Sequence, residues 1–283
     1  MNFHFKAVQR LVSRAEREAK LNKTWQQIHD DTGIGVVIGD RISFTHQDRA
    51  SLREYIIRKT GLDPLGQGHQ IPKRRVEAAF VRTDEKGFGL PVFSQLLRVA
   101  RITSKPINTV HGEAVLPAGS FLSVPATSLN ISDEVVVVVE NGDLMCSLDR
   151  LKWPVSFQDA LFVYRGHGQD ASELISLIAR SSPLKKVGFF DFDPAGLLLG
   201  VESKIDFDSL ILPAIGVNLA DMSLLRLINK TSAFWKQSEQ LNQLIRKIPN
   251  TLSAPLLKIQ ENQLAIMQEH MCAHNLALQE WNL

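Results

Sequence analysis

Five consecutive valines, Val135, Val136, Val137, Val138 and Val139, constrain the fold of this 283-residue chain more than any other feature. β-Branched side chains lose rotamer freedom in a helix and pack well on a pleated surface, so the run reads as a strand. None of the five can turn a polar group toward water. A strand apolar on both faces belongs inside a parallel sheet covered on both sides. Residues 160–164 (Ala-Leu-Phe-Val-Tyr) and 186–190 (Lys-Val-Gly-Phe-Phe) read as two further strands. Between them a helix is expected over 171–180, with Asp170 as its N-cap. A helix from about residue 195 and a short strand over 210–213 continue the alternation, and segments alternating in this way form a parallel α/β sheet.

The chain before this module has a different texture. Residues 5–21 carry Val8, Leu11, Val12 and Ala15 at helical spacing among Lys and Arg. A short helix over 25–30 leads to Val36-Val37-Ile38 and Ile42-Ser43-Phe44, which flank Gly39-Asp40-Arg41 as the arms of a hairpin flank its turn. A third helix over 47–60 places Leu52, Tyr55, Ile56 and Ile57 on or near one face. Helices around a small hairpin are compatible with a winged-helix-like unit. After a Gly/Pro-bearing loop at 62–70 come Lys73, Arg74 and Arg75, adjacent cations able to grip phosphates and equally suited to the solvated start of a helix. Residues 78–102 mix helix and strand signals, and 107–124 read as short strands with turns at His111-Gly112 and Pro117-Ala118-Gly119. From residue 222 onward the chain reads as amphipathic helix broken at Pro249 and Pro255. The expected division is a DNA- or partner-binding region over 1–128, an α/β module over 129–220 and a helical extension over 221–283.

A net charge of +2 hides an asymmetry: residues 1–110 hold 19 Lys and Arg against 11 Asp and Glu, and the remainder 13 against 19. A basic front and an acidic back suit a phosphate-binding part joined to a metal-binding part, although uneven surface charge alone gives the same balance. No run of eighteen apolar residues occurs, so no membrane span is expected. Glu16, Glu18 and the lack of an apolar core segment speak against a targeting peptide at the N-terminus. Cys146 and Cys272 lie far apart, and His270 and His274 flank Cys272 at a spacing that shares no helix face. Neither a disulfide framework nor a zinc site is expected, and a reducing cytoplasm fits.

Parallel α/β sheets bind ligands beyond the carboxyl ends of their strands. Glu140 follows the valine strand, and Asp191 and Asp193 follow the strand over 186–190. In an extended Asp-x-Asp the two carboxylates point to one side, and Glu140 on a neighbouring strand can aim at the same place. Like charges gathered there repel unless a cation or a proton offsets them. Oxygen donors without cysteine favour Mg²⁺, or Mn²⁺, over Zn²⁺. Phe189, Phe190 and Phe192 supply apolar bulk around the turn, Pro194 fixes its exit, and Gly196 allows close approach at the next helix. A lone Asp-x-Asp is also what helix caps and surface turns produce.

Glu140, the glycine turn Gly166-His167-Gly168 and Asp191-Phe192-Asp193 together resemble the pattern of a Toprim domain, over about residues 132–215. Val139-Glu140-Asn141 and the run from Asp191 to Gly196 are similar to the topoisomerase VI A-subunit type. Within it they resemble the nuclease subunit of Wadjet systems, condensin-like plasmid-defence complexes whose DNA-binding region precedes the Toprim domain. The resemblance implies that Glu140, Asp191 and Asp193 are catalytic and hold one or two Mg²⁺ ions for DNA cleavage. It implies condensin-like SMC subunits as partners and allows a homodimer. Asn141, Arg165 and His167 are candidates for orienting a ligand, holding phosphate or moving a proton. Gln268-Glu269 resembles a late Gln-Glu pair of those subunits, although on a polar helix such a pair is more often a solvated face. Of the two tyrosines, Tyr164 falls within an apolar strand and Tyr55 on the inward part of a helix. Metal-assisted hydrolysis is therefore expected over a covalent tyrosine route. A primase would carry zinc-binding cysteines, and a haloacid-dehalogenase-type phosphatase would carry Thr where Ala195 stands. The other reading left open is a non-catalytic DNA-binding or assembly subunit.

Overall fold

A computed structural model describes residues 2–66, 96–166 and 169–283 and divides the chain into two compact units, 1–94 and 95–283. Lys73, Arg74, Arg75 and His167 lie outside the described residues.

In the first unit, helices α1 (Asn2–Ser13), α2 (Lys23–Thr32) and α3 (His46–Thr60) accompany strands β1 (Glu18–Lys20), β2 (Val36–Ile38) and β3 (Arg41–Ser43). The strands form an antiparallel sheet in the order β1-β3-β2. The hairpin stands where the sequence placed it, with Gly39 at a φ of 61° in its turn. The helix expected over 5–21 ends early, at Ser13. Ala15 takes a left-handed φ of 51°, and Ala19 and Leu21, two residues apart, then pack on the core as the inward face of a strand does. Thr45 and Asp48 close a reciprocal capping box at the start of α3, and Gly61 ends it at a φ of 69°. Phe5, Val8, Leu11, Trp25, Ile28, Ile42, Phe44, Leu52 and Ile56 form a core of this unit's own.

The second unit is a mixed α/β domain on a seven-stranded sheet ordered β12-β11-β10-β8-β9-β4-β7. Its strands are β4 (Leu96–Ala100), β7 (Leu122–Pro125), β8 (Val135–Val139), β9 (Leu161–Tyr164), β10 (Lys185–Phe189), β11 (Ser209–Pro213) and β12 (Leu278–Asn282). A separate hairpin joins β5 (Ile107–Thr109) to β6 (Gly112–Ala114). Val136 to Val139 are fully buried, each worth roughly 1.5–3 kcal/mol of apolar burial.

The parallel sheet expected from sequence is only the centre of this one. β11, β10, β8 and β9 run parallel, whereas β12, β4 and β7 pair antiparallel at the flanks. The boundaries at 128 and 220 dissolve for the same reason: strands from 96–125 and 278–282 belong to one sheet with the 129–220 segment. The helical reading of the C-terminus missed β12, a five-residue edge strand directly after a helical run.

Helices α4 (Gln169–Ser181) and α5 (Pro194–Val201) alternate with the central strands. The helix expected over 171–180 begins two residues earlier, so Asp170 falls within α4. Then follow α6 (Ile215–Asn218), α7 (Met222–Ile228), α8 (Thr231–Lys236), α9 (Ser238–Lys247), α10 (Ser253–Asn262) and α11 (Gln268–Ala273). Pro255 does not break its helix: it sits in the first turn of α10, where its missing N–H has no partner to lose. No described helix is long and apolar enough to cross a membrane.

Candidate functional site

β8 and β10 are neighbours in the sheet, with Val139 opposite Phe189, so their chains leave the sheet side by side. The Glu140 N–H donates to the Phe189 carbonyl at 3.3 Å, and the Asp191 N–H donates to Glu140 Oε2 at 3.5 Å. The structure thus brings two of the expected carboxylates together at the carboxyl ends of adjacent parallel strands.

A segment from far along the chain completes this corner. Phe192 and Ile266 exchange backbone hydrogen bonds of 2.8 and 3.1 Å, laying residues 264–268 beside the Asp-x-Asp turn. The Gln268 N–H donates to Asp191 Oδ1 at 2.8 Å. The fully buried Gln268 side chain donates from Nε2 to the Phe189 carbonyl at 2.8 Å and accepts the Asn141 N–H at Oε1, also at 2.8 Å. One residue therefore ties the ends of β8 and β10 to Asp191. The solvated-face reading of Gln268-Glu269 is overturned for Gln268 and holds for exposed Glu269.

Asp193 is placed differently from expectation. It is buried and N-caps α5, where Oδ1 accepts the Gly196 N–H at 2.7 Å and Oδ2 accepts Gln237 Nε2 at 2.6 Å. An N-cap carboxylate satisfies an otherwise unpaired helix N–H, and Pro194 in the first turn starts the helix immediately after it. That local demand draws Asp193 toward the helix. As arranged, no three His, Cys, Asp or Glu side chains among the described residues converge to hold a metal ion.

Asp191 shows the electrostatic consequence. Burial pushes its carboxyl up to about 7, and the charges of Glu140, Asp193 and Glu269 push the same way, against the pull of the Gln268 N–H. The groups that raise it are all acidic. Oxygen donors under mutual repulsion fit a hard divalent cation at Glu140 and Asp191, with Asp193 and Glu269 adding to the field.

The supporting residues divide in two. The Asn141 side chain accepts the Asp143 N–H and so caps the following turn, while Arg165 stands beside the end of β8 through its N–H to the Val139 carbonyl at 2.8 Å. Gly166 takes the left-handed φ of 68° that its turn requires. Gly196 carries the close approach expected of it: a Cβ there would lie 2.1 Å from the Asp191 carbonyl oxygen. Phe189, Phe190 and Phe192 are buried, and the Phe190 ring meets Phe207 edge-on. Gln237 escaped sequence reasoning altogether, since a Gln among Lys236, Ser238 and Glu239 has no local signature.

The family model described as a domain of unknown function, DUF7281, matches residues 94–280. The chain belongs to the DUF7281 family. No curated protein matches it. The DUF7281 match runs from the start of the second unit into β12, so Glu140, Asp191, Asp193, Gln237 and Gln268 all fall within it. The basic first unit lies outside.

Proposed function

We propose that this DUF7281 chain is a Mg²⁺-dependent DNA endonuclease with a Toprim-type site, acting as a subunit of a condensin-like SMC complex in cytoplasmic defence against plasmid or foreign DNA. One observation carries the reading. Glu140 and Asp191 meet at the carboxyl ends of adjacent parallel strands, where the charges of Glu140, Asp193 and Glu269 bear on Asp191. Glu140 and Asp191 would hold the ion, Mn²⁺ serving in place of Mg²⁺, and Gln268 fixes the direction of Asp191. When bound, Mg²⁺ lowers the pKa of water and offsets charge on the departing oxygen of a phosphodiester. Arg165, beside the end of β8, would steady a phosphate, and Asn141 is a further candidate there; His167 is a candidate from the sequence alone. Lys73, Arg74 and Arg75 would hold the DNA backbone in a sequence-independent, salt-sensitive way. A winged-helix-like role for the first unit has the hairpin in its favour, although only one helix separates β1 from it. The SMC partners and a homodimer rest on the sequence resemblance.

Hydrolysis is preferred to a covalent tyrosine route. The Tyr55 hydroxyl donates to Asp31 Oδ2 at 3.0 Å, and burial raises its pKa, which disfavours the nucleophilic phenolate. Tyr164 is half-buried, with Gly142 against its ring and the Arg98 guanidinium 5.3 Å from its centroid. The second reading, a non-catalytic DNA-binding or assembly subunit, has the capping role of Asp193 in its favour. Supercoiled plasmid incubated with Mg²⁺ or Mn²⁺, with and without condensin-like partners, tests the choice. Cleavage that is lost in Asp191→Ala while DNA binding persists is the expected result. Uncut plasmid under every condition eliminates the nuclease.

A further inference from the structure

Gln237 lies more than forty residues beyond the Asp-x-Asp turn, yet its side chain engages both halves of the turn's exit. Nε2 donates to Asp193 Oδ2 at 2.6 Å, and Oε1 accepts the Ala195 N–H at 3.0 Å. Its backbone is fixed independently. Gln237 ends α8, donating its N–H to the Phe234 carbonyl at 3.0 Å and accepting the Leu241 N–H at 2.9 Å from α9. α9 in turn packs on α5, the helix that Asp193 caps. Phe234, one turn earlier, is buried in the main core and anchors the end of α8.

The chemistry of this clamp is specific. A glutamine amide presents a donating end and an accepting end, and the turn offers an acceptor (Asp193 Oδ2) and a donor (Ala195 N–H) in matching order. Lys or Arg could make the first bond but not the second, and would also bring a positive charge to the edge of the acidic group. The Gly196 N–H and the Gln237 amide, which donate to the Asp193 carboxylate, are both neutral. The carboxylate is thus held in place by neutral groups, beside the Asp191 carboxyl on which it acts.

We infer that Gln237 is a positioning residue for the acidic centre, a neutral clamp from the C-terminal helices that fixes Asp193 without bringing a cation to it and so sustains divalent-cation binding at Glu140 and Asp191. The inference rests on the metal reading above. A clamp that mattered only to folding would move stability and affinity together, whereas this one separates them.

Calorimetric titration of the full chain with Mn²⁺, paired with thermal melts in chelator, tests it on wild type, Gln237→Met and Gln237→Lys. Gln237→Met removes both polar ends at similar volume and is expected to weaken Mn²⁺ about tenfold, as loss of an outer contact around a metal site does. Gln237→Lys is expected to weaken it further while its metal-free melting temperature equals or exceeds that of Gln237→Met, because the ammonium relieves the repulsion. Mn²⁺ binding by Gln237→Met within twofold of wild type overturns the inference and leaves the metal reading standing. Absence of Mn²⁺ binding by the wild type overturns both. Gln237→Lys that melts below Gln237→Met while retaining wild-type affinity assigns the residue to folding alone and overturns the inference.

Discussion

Two groups of buried charge lie in the second unit, and they are resolved in opposite ways. Glu134, at the approach to β8, is 2% exposed and pairs with the equally buried Arg101 and with Lys105 at 3.1 Å. Arg101 spends its other donors on the carbonyls of Pro106 at 3.0 Å and Asp159 at 2.6 Å. Every charge there meets an opposite charge or a dipole. At the far end of the same strand, Glu140, Asp191 and Asp193 are held by backbone N–H groups and glutamine amides, and the charges acting on Asp191 are acidic. The first group is closed and explains itself as structure. The second keeps repulsion inside the fold, which is a cost that folding alone does not require, and that is why it marks the candidate site.

Removing one partner of the closed group is expected to have the largest effect. Glu134→Ala leaves the Arg101 guanidinium buried and unpaired, which costs about 3–5 kcal/mol, and urea unfolding should show the loss. The open group should respond with the opposite sign. In chelator at pH 8, Asp191→Asn should unfold at higher urea than wild type, by roughly 2–4 kcal/mol for a carboxyl raised from 3.8 to about 7. The direction follows from proton linkage. Between those two pH values the folded state keeps a proton that the unfolded state has released, so wild-type stability falls as pH rises from about 4 to about 7. Asp191→Asn should lack that slope; parallel curves for the two proteins would show that Asp191 is already neutralised by something else.

Divalent ions give a smaller and conditional effect. Mg²⁺ at about a hundred times its dissociation constant should stabilise the wild type by about 2.7 kcal/mol and leave Asp191→Asn nearly unmoved in a thermal melt. Smallest of all is Lys105→Met. Its side chain is 42% exposed, and a solvent-screened pair of this kind contributes about 0–1 kcal/mol. A larger loss in that variant would mean that Glu134 depends on Lys105 as well as on Arg101, and would blur the contrast between the two groups.

What the sequence revealed and what it concealed follow the range of the interactions involved. The valine run, the hairpin around Gly39 and the strand before Asp191 are local patterns, and each appears where its residues placed it. Glu140 and Asp191 were legible because strand ends in a parallel sheet are predictable gathering points. Asp193 was legible as an acid that could serve as ligand or as cap. Its spacing permits both uses, and the competition was decided by the Gly196 N–H and by Gln237, a residue distant in sequence. β12 and the role of Gln268, noticed only through a resemblance, were hidden for the same reason: five residues at a sheet edge and one polar side chain at a helix start acquire meaning only from β11 and Asp191.

The pairing of β12 with β11, together with the placement of Gln268 against Asp191, also sets an order of events during synthesis. The corner that holds Asp191 lacks its N–H donor, and β11 lacks its outer neighbour, until the ribosome has passed residue 268 and then residue 282. Until then a nascent chain carries the central parallel strands with an open edge and loosely held carboxylates, a state prone to wrong pairing. Any activity this centre possesses therefore waits until residues 268–282 have been made, and a chain cut short before Gln268 would carry the acidic residues without the means to hold them.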